Sequence, residues 1–405
     1  MVCHGGRARR TREKQMNPMV HARLIFAAFV MPMLACPMHA GAELPPLPQP
    51  PSPVTRVQRD NDVKMMSAWW YACGKVPDQQ AVIRLKAWSD AHPDDGEALF
   101  FVYTGYRLNL VRELVRPSQI SAGDLVAMLE KSASLGFMSA QSRYAMTLIG
   151  SKSVETGLKA PDVRTGMDLL QACIAKRDPD AHLYMGMLLS NGEGGLNADF
   201  DAAEEYLKKA IELGDIRAWA QLATLQSRSD EDKAEETLKL GAEAGDPEAQ
   251  LLLAKRLQRL GASSEDYAQA FQLLLLSASN QTISPEAHIL VADSYFNGTR
   301  VQPDHAEAFH WYKAAAALGH LRAELQVATQ LLQGDGCKMD IETGMRMLQK
   351  LAESKYGPAE TFLGVLYLEG LLVARDIGHA KALFEAAAND GDPSANRYLV
   401  ALRRN

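Results

Sequence analysis

The chain has 405 residues, of which 47% are hydrophobic, 23% charged and 7% aromatic. This composition excludes a wholly disordered chain and a protein with many membrane spans, and the abundant alanine and leucine favour an all-α fold. The net charge of −6 becomes −11 from residue 43 onward, because the first 42 residues hold six basic residues and one acidic residue. A nucleic acid is therefore not expected as a partner, since phosphate binding needs a basic surface.

Residues 1–42 have the features of a removable export signal. The apolar segment Leu24–Ala35 is about as long as the hydrophobic core of a signal peptide and too short to span a bilayer comfortably. The small residues Ala40–Ala42 follow it and predict cleavage after residue 42. We therefore expect a mature chain that is exported, to the periplasm or beyond, and that has no transmembrane span.

Two features of the leader leave alternatives open. The arginine-rich stretch before Met16 is longer and more charged than the usual start of a signal peptide, so Met16 or Met19 is an alternative first residue. In a leader of the lipoprotein type, Cys36 would carry a lipid anchor, although Leu34 fits that pattern poorly.

Residues 43–59 are predicted to form a proline-rich linker. Six of the ten residues in Leu44–Pro53 are prolines, which favours an extended spacer over a folded element and a tether over a ligand for an aromatic groove. Beyond the leader the chain has three cysteines, Cys73, Cys173 and Cys337. Their odd number and long spacing predict no disulfide framework and leave open which of them are free.

Residues 60–96 are predicted to form an N-terminal helical cap. Two helical segments, Asn61–Ala72 and Gln79–Ala91, flank a short turn. The tryptophans Trp69, Trp70 and Trp88 in this region would either seal the end of the repeats that follow or form a ligand platform. We favour the seal, because the open end of a repeat array must be covered.

One alanine recurs in a fixed context from residue 97 to the end of the chain. We call it the key alanine; the nine copies are Ala98, Ala140, Ala181, Ala218, Ala249, Ala287, Ala323, Ala359 and Ala395. A second small residue stands five positions later in seven of the nine units, and a larger apolar residue commonly stands eight positions later. This spacing predicts a helix, helix A, with one face pressed closely against a partner helix.

A second helix, helix B, follows helix A in each unit. Its face alternates small and large residues, as in Ala308, Tyr312 and Ala316. Pairs such as Asp246-Pro247 precede the next helix A, where they supply an N-cap and a first-turn proline. Each unit is thus a helical hairpin that cannot bury both faces alone, and stacked hairpins would share a continuous core.

This pattern resembles the Sel-one-like repeat (SLR) family, which is related to tetratricopeptide repeats. The resemblance covers residues 97–405 and is strongest at 310–326, 359–370 and 379–395. It implies a right-handed α-solenoid of stacked hairpins that binds other proteins. The unit that begins at Ala218 departs from the pattern, because Gln226 and Ser229 occupy the places of its large residue and glycine.

No catalytic or metal-binding motif is recognisable in the sequence. Neither HExxH, a P-loop, a strand–helix GxGxxG nor CxxC occurs, so we expect no enzyme, no cofactor and no metal site. His182 and His288 share the position after the key alanine, where we expect solvated side chains. A nucleophilic Cys337 would need a histidine base that the pattern does not supply.

Helix A lines the concave side of a helical-hairpin solenoid, so its outward stripe is the candidate partner surface. Residues two, six and nine positions after the key alanine are predicted to form this stripe. The candidate partner-binding residues are Met187, Ile289, Asp293, Phe296, Thr329, Leu332, Val365 and Leu368.

The sequence therefore predicts an exported, non-catalytic scaffold that binds another protein or peptide segment. The alternative is an envelope factor that binds cell wall or glycan through Trp69, Trp70 and its acidic surface. A hydrolase is a third class, for which no pair of carboxylates stands out.

Overall fold

The architecture comes from a computed structural model that describes residues 53–72, 79–107, 122–150, 162–259, 263–279, 285–299 and 301–403. All of them belong to the unit formed by residues 50–405. The predicted leader with Cys36, most of the proline-rich linker, and Cys73 lie outside the described residues.

The described residues form helices and no strand. Two helices precede the repeats: α1 spans Arg56–Ala72 and α2 spans Gln79–Ala91. Helix α1 begins before the expected start at Asn61, within the segment assigned to the linker. Its first turn is stabilised by Thr55, whose hydroxyl oxygen accepts a hydrogen bond from the Gln58 backbone N–H at 3.3 Å.

Alternating helices A and B make up the rest of the described chain. The helices A are α3 (Gly96–Arg107), α5 (Met138–Ile149), α7 (Pro179–Asn191), α9 (Ala218–Gln226), α11 (Pro247–Arg259), α13 (Pro285–Asn297), α15 (Leu321–Gln333), α17 (Gly357–Glu369) and α19 (Pro393–Arg403). The helices B are α4 (Ala122–Ser134), α6 (Val163–Ala175), α8 (Phe200–Glu212), α10 (Glu231–Glu243), α12 (Ser264–Ser279), α14 (His305–Ala317), α16 (Ile341–Glu353) and α18 (Ile377–Asn389). Each helix packs mainly on its neighbours in chain order, so the predicted α-solenoid of stacked hairpins is confirmed.

Aspartates begin most of the helices B. The Asp304 side chain accepts hydrogen bonds from the backbone N–H groups of Ala306 and Glu307 at 3.0 Å, which satisfies donors that the helix leaves free. The same cap occurs at Asp162, Asp199, Asp230, Asp340 and Asp376. Glycines such as Gly334, at φ 68°, end the preceding helices A in the left-handed conformation that the sequence predicted there.

The key alanines are the points of closest helix contact. All nine have 0% of their surface exposed. The small residue five positions later lets helix B approach equally closely: a Cβ on Gly186 would lie 2.7 Å from Leu207 Cγ, and one on Gly364 would lie 2.7 Å from the Phe384 ring. Larger residues at these positions would force the two helices of a hairpin apart.

A buried aspartate joins successive hairpins. Asp178, the N-cap of α7, accepts a hydrogen bond from the Ser142 hydroxyl of the preceding helix A at 2.5 Å. Asp392 accepts one from the Thr361 hydroxyl at 2.6 Å, and Asp246 accepts one from the Ala220 backbone N–H at 2.9 Å. One carboxylate thus caps its own helix and ties it to the helix A before it.

The irregular unit that begins at Ala218 remains packed. Its helix A, α9, has nine residues and ends at Gln226. The Gln226 side chain is buried, accepts a hydrogen bond from the Thr237 hydroxyl at 2.6 Å and donates one to Glu204 at 3.3 Å. Because its polar atoms are paired, the glutamine replaces the expected large apolar residue without leaving a buried group unsatisfied.

Candidate interaction surface

The position two residues after the key alanine faces the next hairpin. It is buried in seven of the nine units, and Ile289 is 3% exposed. Ser142 and Thr361 occupy this position, and their hydroxyls donate to the aspartate that caps the next helix A. The expectation that this position faces outward is therefore wrong for Ile289, because contact between neighbouring units uses it.

The position nine residues after the key alanine is also largely committed to packing. Leu332 is 2% exposed and lies in a hydrophobic cluster with Leu348 and Leu366, so the expectation that it is accessible is wrong. Phe296 is half-buried against His305, with ring centroids 4.9 Å apart. Leu368 is half-buried against the last hairpin.

The position six residues after the key alanine keeps access to solvent. Met187, Asp293, Thr329 and Val365 are all partly exposed. The Thr329 hydroxyl donates to the carbonyl of Leu325 at 2.8 Å, so the threonine presents mainly its methyl group. The structure thus keeps part of the predicted stripe accessible, and the binding of a partner there stays a prediction.

Ion pairs connect this accessible position with the residue before the next key alanine. Lys255 Nζ lies 2.9 Å from Glu286 Oε1, and Arg322 Nη2 lies 2.9 Å from Asp293 Oδ2. Asp293 also accepts a hydrogen bond from the Tyr312 hydroxyl at 2.6 Å. Each pair links two successive helices A, so a row of charged groups runs along the helix-A side of the solenoid.

In the N-terminal half, an indole from α1 covers this side. The Trp70 ring meets Phe100 of α3 edge to face with ring centroids 5.6 Å apart, and its Nε1–H donates to Asp180 of α7 at 3.2 Å. The Arg217 guanidinium carbon, just before α9, lies 4.6 Å from the centroid of the Trp70 ring. One side chain therefore joins the first, third and fourth units.

Arg217 is the charged centre of this contact. Its Nε and Nη2 donate to the two carboxylate oxygens of Asp215 at 2.8 and 2.6 Å, and Nη2 also pairs with Asp180. The side chains of Asp215 and Asp180 are 0% and 1% exposed. Such buried carboxylates are tolerable only because the guanidinium pairs with them.

Burial shifts the protonation equilibria of this cluster. Burial, followed by the nearby charge of Asp180, raises the pKa of Asp178 to about 6. Burial also raises the pKa of Asp215, although Arg217 works against the shift. Both carboxyl groups therefore take up a proton at a higher pH than an exposed aspartate does.

In the C-terminal half, the same side of the solenoid stays open among the described residues. The position three residues after the key alanine is half-buried from α11 onward; it holds Leu252, Leu290, Gln326, Phe362 and Tyr398. Together with the accessible position six it gives a strip of apolar and polar side chains. We call this strip the open helix-A face and define it by Leu290, Asp293, Gln326, Thr329, Phe362 and Val365.

Among the described residues, the histidines and cysteines are engaged in packing rather than gathered in one cluster. His182 and His288 are 6% and 2% exposed, so the expectation of solvated side chains is wrong. Each packs against an aromatic residue of its own helix B, such as Tyr206 at 6.0 Å from His182. Cys173 and Cys337 are free thiols, and burial raises the pKa of both. Within the described ranges no three histidine, cysteine or acidic side chains are placed to hold a metal ion.

The contact between Trp70, Asp180 and Arg217 was not anticipated from the sequence. Asp180 and Arg217 both stand directly before a key alanine, in successive units. Opposite charges at one repeat position of adjacent units are a readable signal for such an ion pair. The partner indole could not have been found in this way, because it lies outside the repeats.

No helix in the described part of the chain is both long and apolar enough to cross a membrane.

Comparison with known proteins identifies the repeats. The model of the Sel1 repeat matches residues 179–215, 247–281, 285–320, 321–356 and 357–392.

Two curated relatives match shorter segments. An uncharacterized protein of Neisseria meningitidis serogroup B is 32% identical over 145 residues, which are 36% of this chain and 29% of the relative. Chitin synthase regulatory factor 3 of Schizosaccharomyces pombe is 29% identical over 141 residues, which are 34% of this chain and 15% of the relative. The match thus spans less than a third of either relative's length.

A solved structure shows the same fold. The protein c5321, a protective antigen present in uropathogenic Escherichia coli strains with an SLR fold, aligns with a TM-score of 0.52 and 22% identity over 85% of this chain and 80% of that one. Helical hairpins in chain order, the nine buried key alanines and the five matched repeats agree with one another. The chain is therefore a Sel1 repeat protein, a member of the family that the sequence pattern resembles.

Proposed function

We propose that this protein is an exported, non-catalytic scaffold that binds a segment of another protein along the open helix-A face. Proteins built from Sel1 repeats typically act as scaffolds for protein–protein interactions. The observation that carries the proposal is the accessibility of this face: Thr329 and Val365 are partly exposed, whereas the key alanine beside them is buried in every unit. Apolar groups left accessible at regular spacing suit an extended or helical peptide.

The charges on this face restrict the partner. Asp293 and Arg322 already pair with each other, as do Lys255 and Glu286. A partner segment therefore gains little from a long run of one charge. An amphipathic segment, with apolar side chains at helical spacing and isolated polar groups between them, fits the face best.

The experiment is a binding measurement with a purified partner. A photo-reactive residue in place of Thr329 would capture the partner in cell-envelope extracts. The same residue in place of Lys239 would serve as a control, because Lys239 is exposed and belongs to α10, a helix B. After identification, the affinity of the purified pair is measured for the wild type, Val365→Glu and Lys239→Glu. We expect a loss of at least tenfold with Val365→Glu alone, and equal affinities in all three proteins would refute the proposed surface.

Export is a separate part of the proposal and rests on the leader sequence. The apolar segment Leu24–Ala35 and the small residues at 40–42 support removal of the leader by a signal peptidase. Mass spectrometry of the N-terminus after cell fractionation tests this. We expect a mature N-terminus at Glu43 in the periplasmic fraction. A lipid-modified Cys36 would show that the leader is of the lipoprotein type instead. An intact leader in the cytoplasm would refute export.

Two of the three tryptophans expected to form the platform of the alternative glycan-binding function are already engaged, and the side chain of Trp69 lies outside the described ones. Trp70 is 9% exposed and its Nε1–H is bonded to Asp180. Trp88 stacks on His92 with ring centroids 3.8 Å apart, and its Nε1–H donates to Asp95 at 2.9 Å. These two indoles are committed to packing and hydrogen bonding, so they do not form an open stacking surface.

A further inference from the structure

Arg143 on α5 is a buried cation, and two of its three guanidinium nitrogens have no hydrogen-bond partner in the described part of the chain. The residue is 6% exposed. Its Nη1 donates to the Tyr184 hydroxyl at 3.3 Å, but no acceptor among the described residues lies within hydrogen-bonding distance of Nε or Nη2. A guanidinium stays protonated even when buried, so its Nε and Nη2 groups are left in a buried setting without a hydrogen bond, which carries a desolvation cost.

The two free donors are the pair that other arginines of this chain use to hold a carboxylate. Nε–H and one Nη2–H point from the same edge of the guanidinium and match the two oxygens of a carboxyl group. Three partly buried arginines fill this edge with an aspartate at donor–oxygen distances of 2.6–2.8 Å: Arg59 with Asp95, Arg84 with Asp62, and Arg217 with Asp215. Arg143 is more buried than these and has the same edge empty.

The surroundings of Arg143 form a defined receptor for such a group. Tyr103 of α3 and Tyr184 of α7 are 4% and 3% exposed, and both lie against the guanidinium. The Arg143 guanidinium carbon is 5.9 Å from the centroid of the Tyr184 ring. Helices A of three successive units therefore hold the cation in place and supply phenolic hydroxyls beside it.

We propose that the Nε/Nη2 edge of Arg143, between Tyr103 and Tyr184, is a binding site for the carboxylate group of a ligand. Both free donor atoms are themselves buried, so a ligand reaches them only as a compact group or the tip of a side chain, and the tyrosine side chains beside them must move to admit it. A singly charged carboxylate fits better than a phosphate dianion, because Tyr184 also lies within electrostatic range of Asp180. The site lies in the N-terminal half, apart from the open helix-A face, and does not depend on the proposed function.

The test uses the full chain and acetate as the probe. The side-chain Nε–H signals of ¹⁵N-labelled arginines are followed by NMR during titration with sodium acetate, with sodium chloride at equal ionic strength as the reference. We expect one Nε–H signal to move downfield and saturate with acetate only. A parallel thermal scan should show a midpoint about 2 °C higher in saturating acetate than in chloride.

Two variants assign the effect. Arg143→Lys keeps the charge but lacks the paired Nε–H and Nη2–H donors. The shifting signal and the acetate-dependent rise in the midpoint should therefore both disappear. Arg84→Lys is the matched control, because Nε and Nη2 of Arg84 already donate to Asp62. This variant should keep the full response to acetate. If Arg143→Lys does not fold, Tyr184→Phe is the second variant, because it removes the hydroxyl beside the guanidinium and should weaken the response to acetate, whereas Arg84→Lys should not.

Two outcomes would overturn the site. Acetate and chloride could give the same signals and the same midpoint in the wild type. Arg143→Lys could also respond to acetate as strongly as the wild type, which would place the binding elsewhere. Inorganic phosphate is the third probe, and an equal response to phosphate would overturn the preference for a carboxylate.

Discussion

Two arginines in equivalent positions show how the two halves of the solenoid differ. Arg217 and Arg322 each stand directly before a key alanine and each pair with an aspartate of the preceding helix A. In the N-terminal pair, the side chains of Arg217 and Asp180 are 19% and 1% exposed, whereas those of Arg322 and Asp293 are 50% and 23% exposed. The same repeat position is thus a buried joint in one half and an accessible surface pair in the other.

The cause of this difference lies outside the repeats. Trp70 of α1 covers Asp180 and Arg217, and no described helix covers Asp293 and Arg322 in the same way. A repeat array therefore acquires distinct regions when one added helix occupies part of its helix-A side. The N-terminal half gains stability from this cover, and the C-terminal half keeps the surface on which a partner can bind.

The largest expected effect comes from breaking the buried joint. Arg217→Met leaves Asp180 and Asp215 buried without their cation, so the free energy of unfolding should fall by about 3–5 kcal/mol. Arg322→Met removes an exposed pair and should cost less than about 1 kcal/mol. Denaturant unfolding of both variants measures the contrast, and equal losses would show that the two halves do not differ as proposed.

Removing the cover itself should have the next largest effect. Trp70→Ala creates a cavity between α1, α3 and α7 and should cost about 3 kcal/mol. Because a solenoid can unfold locally, hydrogen exchange should accelerate in α7 and α9 and remain unchanged in α15 and α17. Phe362→Ala is the control on the open helix-A face, where loss of the half-buried ring should lower the free energy of unfolding by about 1 kcal/mol. A uniform acceleration of hydrogen exchange along the chain would argue against a local cover.

The repeat pattern made the fold readable from the sequence. The key alanines predicted the helix contacts because a small side chain at fixed spacing has one physical use, close packing, and all nine are buried. The glycines and aspartates predicted the helix ends for a similar reason, since left-handed residues and N-caps depend on neighbours in the sequence.

The candidate site was harder to predict because it depends on contacts between units. Ile289 and Leu332 were expected at the surface, but spacing along one helix does not reveal which face the next hairpin covers. The cover by Trp70 could not be inferred at all, because α1 and α7 are 110 residues apart at that hydrogen bond and share no periodicity. Long-range contacts of this kind require coordinates.

Low pH should strengthen the joint between hairpins that Asp246 forms. Burial raises the pKa of Asp246 from 3.8 to about 7, despite hydrogen bonds from backbone N–H groups that favour the charged form. The folded state therefore binds a proton that the unfolded state releases, so this contribution to stability is present below about pH 4 and is lost as the pH rises through 7.

The substitution Asp246→Asn isolates this effect, because it keeps an acceptor oxygen without the charge. From pH 4 to pH 8, the variant should gain about 2–3 kcal/mol relative to the wild type, as measured by denaturant unfolding at each pH. Asp230→Asn is the control, because Asp230 caps α10 as an exposed residue. A difference between Asp246→Asn and the wild type that does not change with pH would contradict the shifted equilibrium.

The smallest expected effect concerns the hydroxyl–aspartate hydrogen bond that joins successive hairpins in both halves. Ser142→Ala and Thr361→Val each remove the hydroxyl that bonds to the aspartate cap of the next helix A, at 2.5 and 2.6 Å. Each should lower the free energy of unfolding by about 1 kcal/mol, because Asp178 and Asp392 keep their bonds to backbone N–H groups. Similar losses in denaturant unfolding would place the difference between the halves in α1 alone, and a much larger loss for Ser142→Ala would mean that the joint itself is stronger beneath the cover.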